Sequence, residues 1–393
     1  MADAWPSPAI FEAGAPPRSR RYGDVYFSKE GGLAQARAVF LEGCGLPDGW
    51  RGRRRFVVAE LGFGTGLNIA ALLQAWSASR TDGAHLSIFS VEAEPLPPDE
   101  AKRALSAWPE LAGEAEALLA AWPGRRRGFH RVDLPGHGAT LDVAVMEVEA
   151  ALEAWSGRAD AWFLDGFSPA LNPAMWTGAL MRLVAQRSAP GARAATYSVA
   201  GQVRGALEEA AFSLERRPGF GAKRQRLEAR LPGDAAAETL APRVTIVGAG
   251  IAGASLARAY RALGCEVRVL ERAAPGAGAS GNPSALVTPR LDAGAESIAR
   301  LHAQALDRAV RLYEREPGVV LARRVLQFEA GARDHSRFAR IAASDVFGPG
   351  ALAQLSAEEV GAALGEPAPP ALALETALAV RPAAILETWL AEV

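Results

Sequence analysis

Cysteine is nearly absent: Cys44 and Cys265 are the only two in 393 residues, one in each half of the chain. That excludes a disulfide framework and a cysteine-built metal centre, so no metal is expected, and it suits a reducing compartment. An excess of one charge is also lacking, with 43 Lys plus Arg against 44 Asp plus Glu. A polyanionic partner must therefore meet a local basic patch rather than a basic molecule. No uninterrupted apolar run reaches the roughly 18 residues of a membrane span. The start, Met1-Ala2-Asp3-Ala4-Trp5-Pro6, has neither a basic region nor an apolar core. The chain reads as soluble and cytoplasmic, with no membrane partner. There is no internal repeat. What is present is a globular composition, 49% hydrophobic, long enough for two or three domains. Abundant Ala, Arg and Gly blur helix and loop propensities, so motifs carry the reading.

Two glycine-rich turns each follow an apolar strand pattern and precede a helical one, which predicts two nucleotide-cofactor folds of α/β type in series. The first is Glu60-Leu61-Gly62-Phe63-Gly64-Thr65-Gly66, after Phe56-Val57-Val58-Ala59. Gly62, Gly64 and Gly66 permit close backbone approach, and Glu92, ending the strand pattern Leu86 to Val91, can hold two ribose hydroxyls. An acid opening the turn, Glu60, would pair the amine of a sulfonium amino acid rather than a pyrophosphate. This favours S-adenosylmethionine.

The segment Ala161-Trp162-Phe163-Leu164-Asp165-Gly166-Phe167-Ser168-Pro169 runs a strand into an acid and then a loop, continuing through Asn172-Pro173 to Trp176. Asp165 is the catalytic candidate: a primary amine is protonated near neutral pH, and a carboxylate in reach can take the proton and orient the nitrogen toward a sulfonium methyl. The plainer alternatives are that Asp165 caps the next helix and that Trp176 anchors it in the core; for Trp176 the plainer reading is preferred. Gly219-Phe220-Gly221-Ala222-Lys223-Arg224-Gln225-Arg226 sets cations after an aromatic, which suits phosphate contacts beside a stacked base. The basic runs at 51–55 and 125–127 could extend that patch, although such runs are more often solvated faces. Tyr22 to Ser28 is an aromatic, strand-like stretch of no evident purpose.

A proline-bounded, small-residue stretch at 233–242 divides the chain into units at 1–232 and 243–393. In the second, Gly248-Ala249-Gly250-Ile251-Ala252-Gly253 has dinucleotide spacing: Gly248 for the turn, Gly250 for pyrophosphate approach, Gly253 for close helix packing. Glu271 ends the following strand, 23 residues beyond Gly248. An acid there favours FAD or NAD over NADP, and the loop from Gly276 through Ser280, Gly281 and Asn282 favours FAD of the two.

Together these residues resemble the bifunctional bacterial tRNA 5-methylaminomethyl-2-thiouridine biosynthesis family. The resemblance rests on Asp24-Val25-Tyr26-Phe27-Ser28, Gly62-Phe63-Gly64-Thr65-Gly66-Leu67-Asn68, Asp165-Gly166-Phe167 with Pro169, Asn172-Pro173 and Trp176, Gly219-Phe220-Gly221 with Lys223-Arg224, the second glycine fingerprint, and Gly278-Ala279-Ser280-Gly281-Asn282. It implies a Rossmann-like S-adenosylmethionine-dependent methyltransferase domain, then an FAD-binding, amino-acid-oxidase-like domain. The flavin half would convert 5-carboxymethylaminomethyl-2-thiouridine at the tRNA wobble position to the 5-aminomethyl form. The first half would then methylate that amine. Asp165 matches the family's catalytic-site aspartate, and Phe167, Phe220, Lys223 and Arg224 are assigned to the substrate. Met146-Glu147 stands where the family carries Gly-Asp near the adenine; Glu147 keeps the acid. About 150 residues follow Pro242, so an incomplete flavin domain with an unpaired sheet edge and exposed apolar surface is expected. Methyl transfer, by a monomer, is the activity expected to be competent. The rival readings are a flavin amine oxidase whose first half only holds tRNA, and a non-catalytic tRNA-binding protein.

Overall fold

The computed structural model describes residues 7–29, 31–221, 224–234, 242–292, 296–348, 350–391 and 393. In the first unit the strands are β1 (Arg55–Leu61), β2 (His85–Glu92), β3 (Gly128–Leu134), β4 (Ala139–Val145), β5 (Ala159–Leu164), β6 (Ser188–Thr196), β7 (Ser213–Pro218) and β8 (Gln225–Arg230). They form one sheet in the order β3-β4-β2-β1-β5-β6-β8-β7. The centre, β4-β2-β1-β5-β6, is parallel, and β3 and β8 add antiparallel pairings at the two sides.

Side chains of a strand alternate between faces, and here both faces are covered, which is why the central strands read as continuous apolar runs. Val58, Ile88 and Phe163 enter one core, whereas Ala59, Phe89 and Trp162 enter the other. Helix α1 (Leu67–Ser79) packs in the first core with Leu72, Leu73 and Trp76 fully buried. Each such side chain contributes roughly 1.5–3 kcal/mol. Helices α2 (Gly178–Gln186) and α3 (Gly201–Glu209) supply Leu180, Met181, Val203 and Leu207 to the second. Trp176 joins them, and its indole N–H donates to the Phe167 carbonyl at 2.9 Å, so it anchors the loop after β5 in the core. The cap of α2 is Thr177, whose hydroxyl accepts from the Leu180 amide at 3.1 Å; Asp165 is not that cap.

Strand order reverses at β1: β2 lies on one side and β5 on the other. Loops leaving the carboxyl ends of β1 and β5 therefore diverge around a crevice, where ligands of open α/β sheets bind. The stretch Tyr22 to Ser28 is not a strand. It contributes one isolated bridge, Val25 to Arg18, and otherwise runs as a loop over that crevice.

The second unit begins with β9 (Arg243–Val247), α4 (Ile251–Ala262) and β10 (Glu266–Leu270), the two strands pairing in parallel as a two-stranded sheet. A separate antiparallel sheet follows from β11 (Ala285–Val287), β12 (Val320–Phe328), β13 (Leu352–Leu355) and β14 (Ala371–Val380). Helices α5 (Glu296–Tyr313) and α6 (Pro382–Leu390) pack with β14 and α4 in a shared core that includes Ala254, Tyr313, Leu378 and Trp389. Apolar side chains are left open on both sheets, with Val247 of β9 85% and Leu286 of β11 65% exposed. The stretch 235–241, where the sequence places the division, lies outside the described residues.

The units meet on β3. Asp133, at its carboxyl end, accepts from Arg258 of α4 at 2.7 Å and from Arg308 of α5 at 3.1 Å. Arg126 pairs with Asp307, and Arg55 donates to the Leu263 carbonyl at 3.0 Å. Arg53 pairs with Asp160 at 2.9 Å. These members of the two basic runs are thus engaged in ion pairs and in the contact between units rather than in a nucleic-acid patch.

Candidate active site

The turn after β1 is held to the end of β2: the amides of Gly62 and Phe63 both donate to the Val91 carbonyl, at 3.1 and 2.9 Å. Gly62 has φ 106°, and a Cβ there would lie 2.4 Å from the Asp165 carbonyl oxygen. A Cβ on Gly64, at φ 52°, would press on the Tyr26 ring at 3.2 Å, and one on Gly66, at φ 76°, on Trp122 at 3.2 Å. The glycines thus let three neighbours close on the turn.

These loops bound a cavity of about 780 Å³. Asp165, Glu92, Glu147, Phe167 and Phe220 all face it. Glu92 accepts from the amides of Gly64 and Glu94, each at 2.9 Å, and burial pushes its carboxyl upward against those two bonds. A carboxylate offers about four acceptor positions, so two hydroxyls can still be held. Phe167 packs with Tyr22 at 5.2 Å and edge-on with Tyr26 at 5.4 Å. The loop carrying these tyrosines is tied down by Asp24, which accepts from the Ser168 amide at 2.8 Å. The purpose of Tyr22 to Ser28 lies here: it closes an aromatic wall, a long-range pairing that local pattern does not reveal.

Glu60 departs from the expectation. It is fully buried, does not line the cavity, and accepts from the Ser90 hydroxyl at 2.6 Å and the Asn68 side-chain amide at 3.1 Å. Its strand pairs in register with β2, Glu60 opposite Ser90, which turns the side chain into the sheet face rather than toward a donor amine. Burial drives its carboxyl well above the ordinary range despite the Ser90 and Asn68 hydrogen bonds, and the Asp165 charge pushes the same way. Asn68, unassigned by the sequence, also donates to Asp165 at 2.6 Å. The tyrosine Tyr197 donates to the Gly166 carbonyl at 2.5 Å, and burial raises its hydroxyl well above the usual value. Arg224 is exposed in the turn between β7 and β8 and does not line the cavity; Lys223 lies outside the described residues.

In the second unit the Gly248 to Gly253 turn closes tightly: a Cβ on Gly253 would lie 1.8 Å from the Gly248 carbonyl oxygen. Glu271 accepts from Ala249 at 2.9 Å and Ala273 at 3.1 Å, and these backbone bonds hold its carboxyl below the ordinary range. The Ser280 hydroxyl accepts from the Ile251 amide at 3.0 Å, so the 276–282 loop folds onto the amino end of α4, beside Gly250. Gly281 is needed for that fold, since its Cβ would lie 2.5 Å from the Gly276 carbonyl, while Asn282 is exposed. The glycine cradle and the acid fit a dinucleotide.

Residues 109–232 match a family of S-adenosyl-L-methionine-dependent methyltransferases, and residues 243–393 match the FAD dependent oxidoreductases. The tRNA 5-methylaminomethyl-2-thiouridine biosynthesis bifunctional protein MnmC of Caulobacter vibrioides is 57% identical over 99% of this chain. Its counterpart in Caulobacter sp. strain K31 is 55% identical over the whole chain. This chain spans 66% of the length of each. The crystal structure of MNMC2 from Aquifex aeolicus aligns with 61% of this chain and 74% of that one at 22% identity and TM-score 0.46. The two matched stretches lie one in each unit of the fold, and the chain belongs to the MnmC family.

Proposed function

We propose that this chain modifies the wobble 2-thiouridine in the anticodon region of tRNA, methylating the amine of 5-aminomethyl-2-thiouridine in its first unit. The observation that carries the reading is the meeting of Asp165, Glu92 and the glycine turn on one cavity with an aromatic wall. S-adenosylmethionine, when bound, supplies an electrophilic methyl on a positively charged sulfur. Glu92 would hold the ribose hydroxyls, Gly62, Gly64 and Gly66 would let backbone approach the donor, and Glu147 would face the adenine. Phe167 and Phe220 would stack on the uracil ring. Asp165 would accept one proton from the substrate ammonium, freeing the nitrogen lone pair. The freed amine, oriented by Asp165, would then take the methyl, its N–C bond forming as the donor's S–C bond breaks to a neutral thioether. Lys223 and Arg224 would meet phosphates beyond the rim.

The second unit we assign to FAD, held by Gly248, Gly250, Gly253, Glu271, Ser280, Gly281 and Asn282. When bound, FAD supplies an electron acceptor for oxidative loss of the carboxymethyl group from 5-carboxymethylaminomethyl-2-thiouridine, which yields the amine. The reading has a monomer at work in the cytoplasm. Two free cysteines, one buried, suit that compartment. Among the described residues no helix is long and apolar enough to cross a membrane.

The test is methyl transfer from labelled S-adenosylmethionine to tRNA bearing either the aminomethyl or the carboxymethylaminomethyl base. Label in the aminomethyl tRNA alone supports the methyltransferase without the oxidative step, and label in both supports the two steps together. Label in neither overturns the reading and leaves a tRNA-binding protein. Light scattering of the purified chain tests the monomer.

A further inference from the structure

Asn68 sits in the first turn of α1, directly after the glycine turn, and is 9% exposed. Its side-chain nitrogen makes two contacts, one to Glu60 at 3.1 Å and one to Asp165 at 2.6 Å. A carboxamide nitrogen has two hydrogens, and both are used on carboxyl groups. Glu60 in turn is fixed from its other oxygen by Ser90, on the neighbouring strand. The series Ser90, Glu60, Asn68, Asp165 therefore runs from the fully buried sheet to the cavity wall, and only its last member faces the cavity as an acid.

We infer that Asn68 is a positioning residue for methyl transfer, tying the Asp165 carboxylate to the buried Glu60–Ser90 pair so that it meets the substrate amine in one orientation. This rests on the amine-methylation reading above. An amide N–H can only donate, so the Asp165 oxygen it touches is held as an acceptor, and a hydrogen bond of this kind favours the charged carboxylate. The environment of the two acids differs in the direction this requires. Glu60 is sealed from solvent, where burial disfavours its charge, while Asp165 opens on the cavity. Burial of Glu60 favours its protonated form, in which it would place no second negative charge beside Asp165. The other ionisable groups near this point are Tyr197, whose burial keeps its hydroxyl protonated, and Asp24, engaged by the Val25 and Ser168 amides.

Two variants separate positioning from packing. Asn68→Ala removes the donor, and Asn68→Leu removes it while keeping a side chain of similar size and adding no charge, so the test remains readable should the alanine variant not fold. The protein is labelled with carboxyl-13C aspartate, and the Asp165 resonance is identified by its loss in Asp165→Asn. In both variants the Asp165 titration midpoint is expected to move to higher pH, as does the acid limb of kcat for aminomethyl tRNA. The value of kcat falls by up to about 100-fold, as a misplaced reacting group allows, with S-adenosylhomocysteine affinity unchanged. An unmoved midpoint in both variants overturns the inference, as does a loss confined to donor affinity. The titration needs no substrate, so a wild-type protein that fails to methylate the tRNA would defeat the amine-methylation reading separately, while the NMR result still decides what Asn68 does to Asp165.

Discussion

The Asp165 carbonyl oxygen occupies the space beside Gly62 where a side chain would begin, 2.4 Å from an ideal Cβ. The glycine turn that lines the cavity and the loop that carries the acid are therefore one packed unit. Gly62→Ala is expected to push the two apart, and φ 106° adds strain of its own. A cost of about 1–3 kcal/mol follows, with donor affinity and methyl transfer both lost. Thermal melting together with S-adenosylhomocysteine titration measures it.

Asp165→Asn keeps the shape of the side chain and removes the proton acceptor. Methyl transfer is expected to fall by about 10²–10⁴-fold, the range of a lost general base, while donor binding stays within twofold. Single-turnover kinetics with aminomethyl tRNA checks this, and unchanged turnover would remove Asp165 from the chemistry.

Asp133 has a side chain only 7% exposed and accepts from two arginines of the second unit. Asp133→Ala leaves Arg258 and Arg308 with less compensation at the contact. A loss of about 1–3 kcal/mol is expected, read as earlier melting of the second unit and faster limited proteolysis between the units. Burial pushes the Asp133 carboxyl up, but Arg308 and Arg258 outweigh it and hold it below the ordinary range. The contribution is thus present above the usual carboxylate range and lost as pH falls through the lowered value.

Two histidines set a second pH dependence. Burial, with Arg55 and Arg131, lowers His85 to about 4, and burial lowers His130 to about 4 even though the Arg126 carbonyl lies 2.6 Å from its ring. An unfolded chain takes up these protons near pH 6.5, so between there and pH 4 it binds more protons than the folded one, and stability is lost as pH is lowered from 6.5 toward 4. Melting temperature is expected to drop across that window. His130→Gln should flatten the slope.

Arg224 and Phe220 flank the turn between β7 and β8, and Phe220 reaches the cavity while Arg224 does not. Arg224→Ala is expected to weaken tRNA binding uniformly and to reduce the salt slope by about 1. Phe220→Ala should instead raise KM with the salt slope unchanged. Binding measured at several salt concentrations separates the two.

Much of this was legible from local pattern. Strand, turn and helix around Gly62 and Gly248, the acid ending β2, the acid after β5 and the core role of Trp176 all depend on residues near one another in the chain, where steric rules for glycine and the alternation of a strand act. Three assignments needed the folded chain. Glu60 looked like a donor-binding acid because it opens the turn, yet its register opposite Ser90 sends it into the sheet. Asn68 stood in the first glycine motif with no role assigned, yet the approach of β5 to α1 makes it the link to Asp165. The aromatic stretch at 22–28 acquired a purpose only when Phe167 folded against it. The sequence by itself determined the two cofactor folds and their order, since short-range sterics and hydrophobic alternation set them. The tertiary structure alone decided which carboxyl faces the cavity and which is sealed beneath it, because solvent exposure and hydrogen-bond partners come from segments distant in the chain.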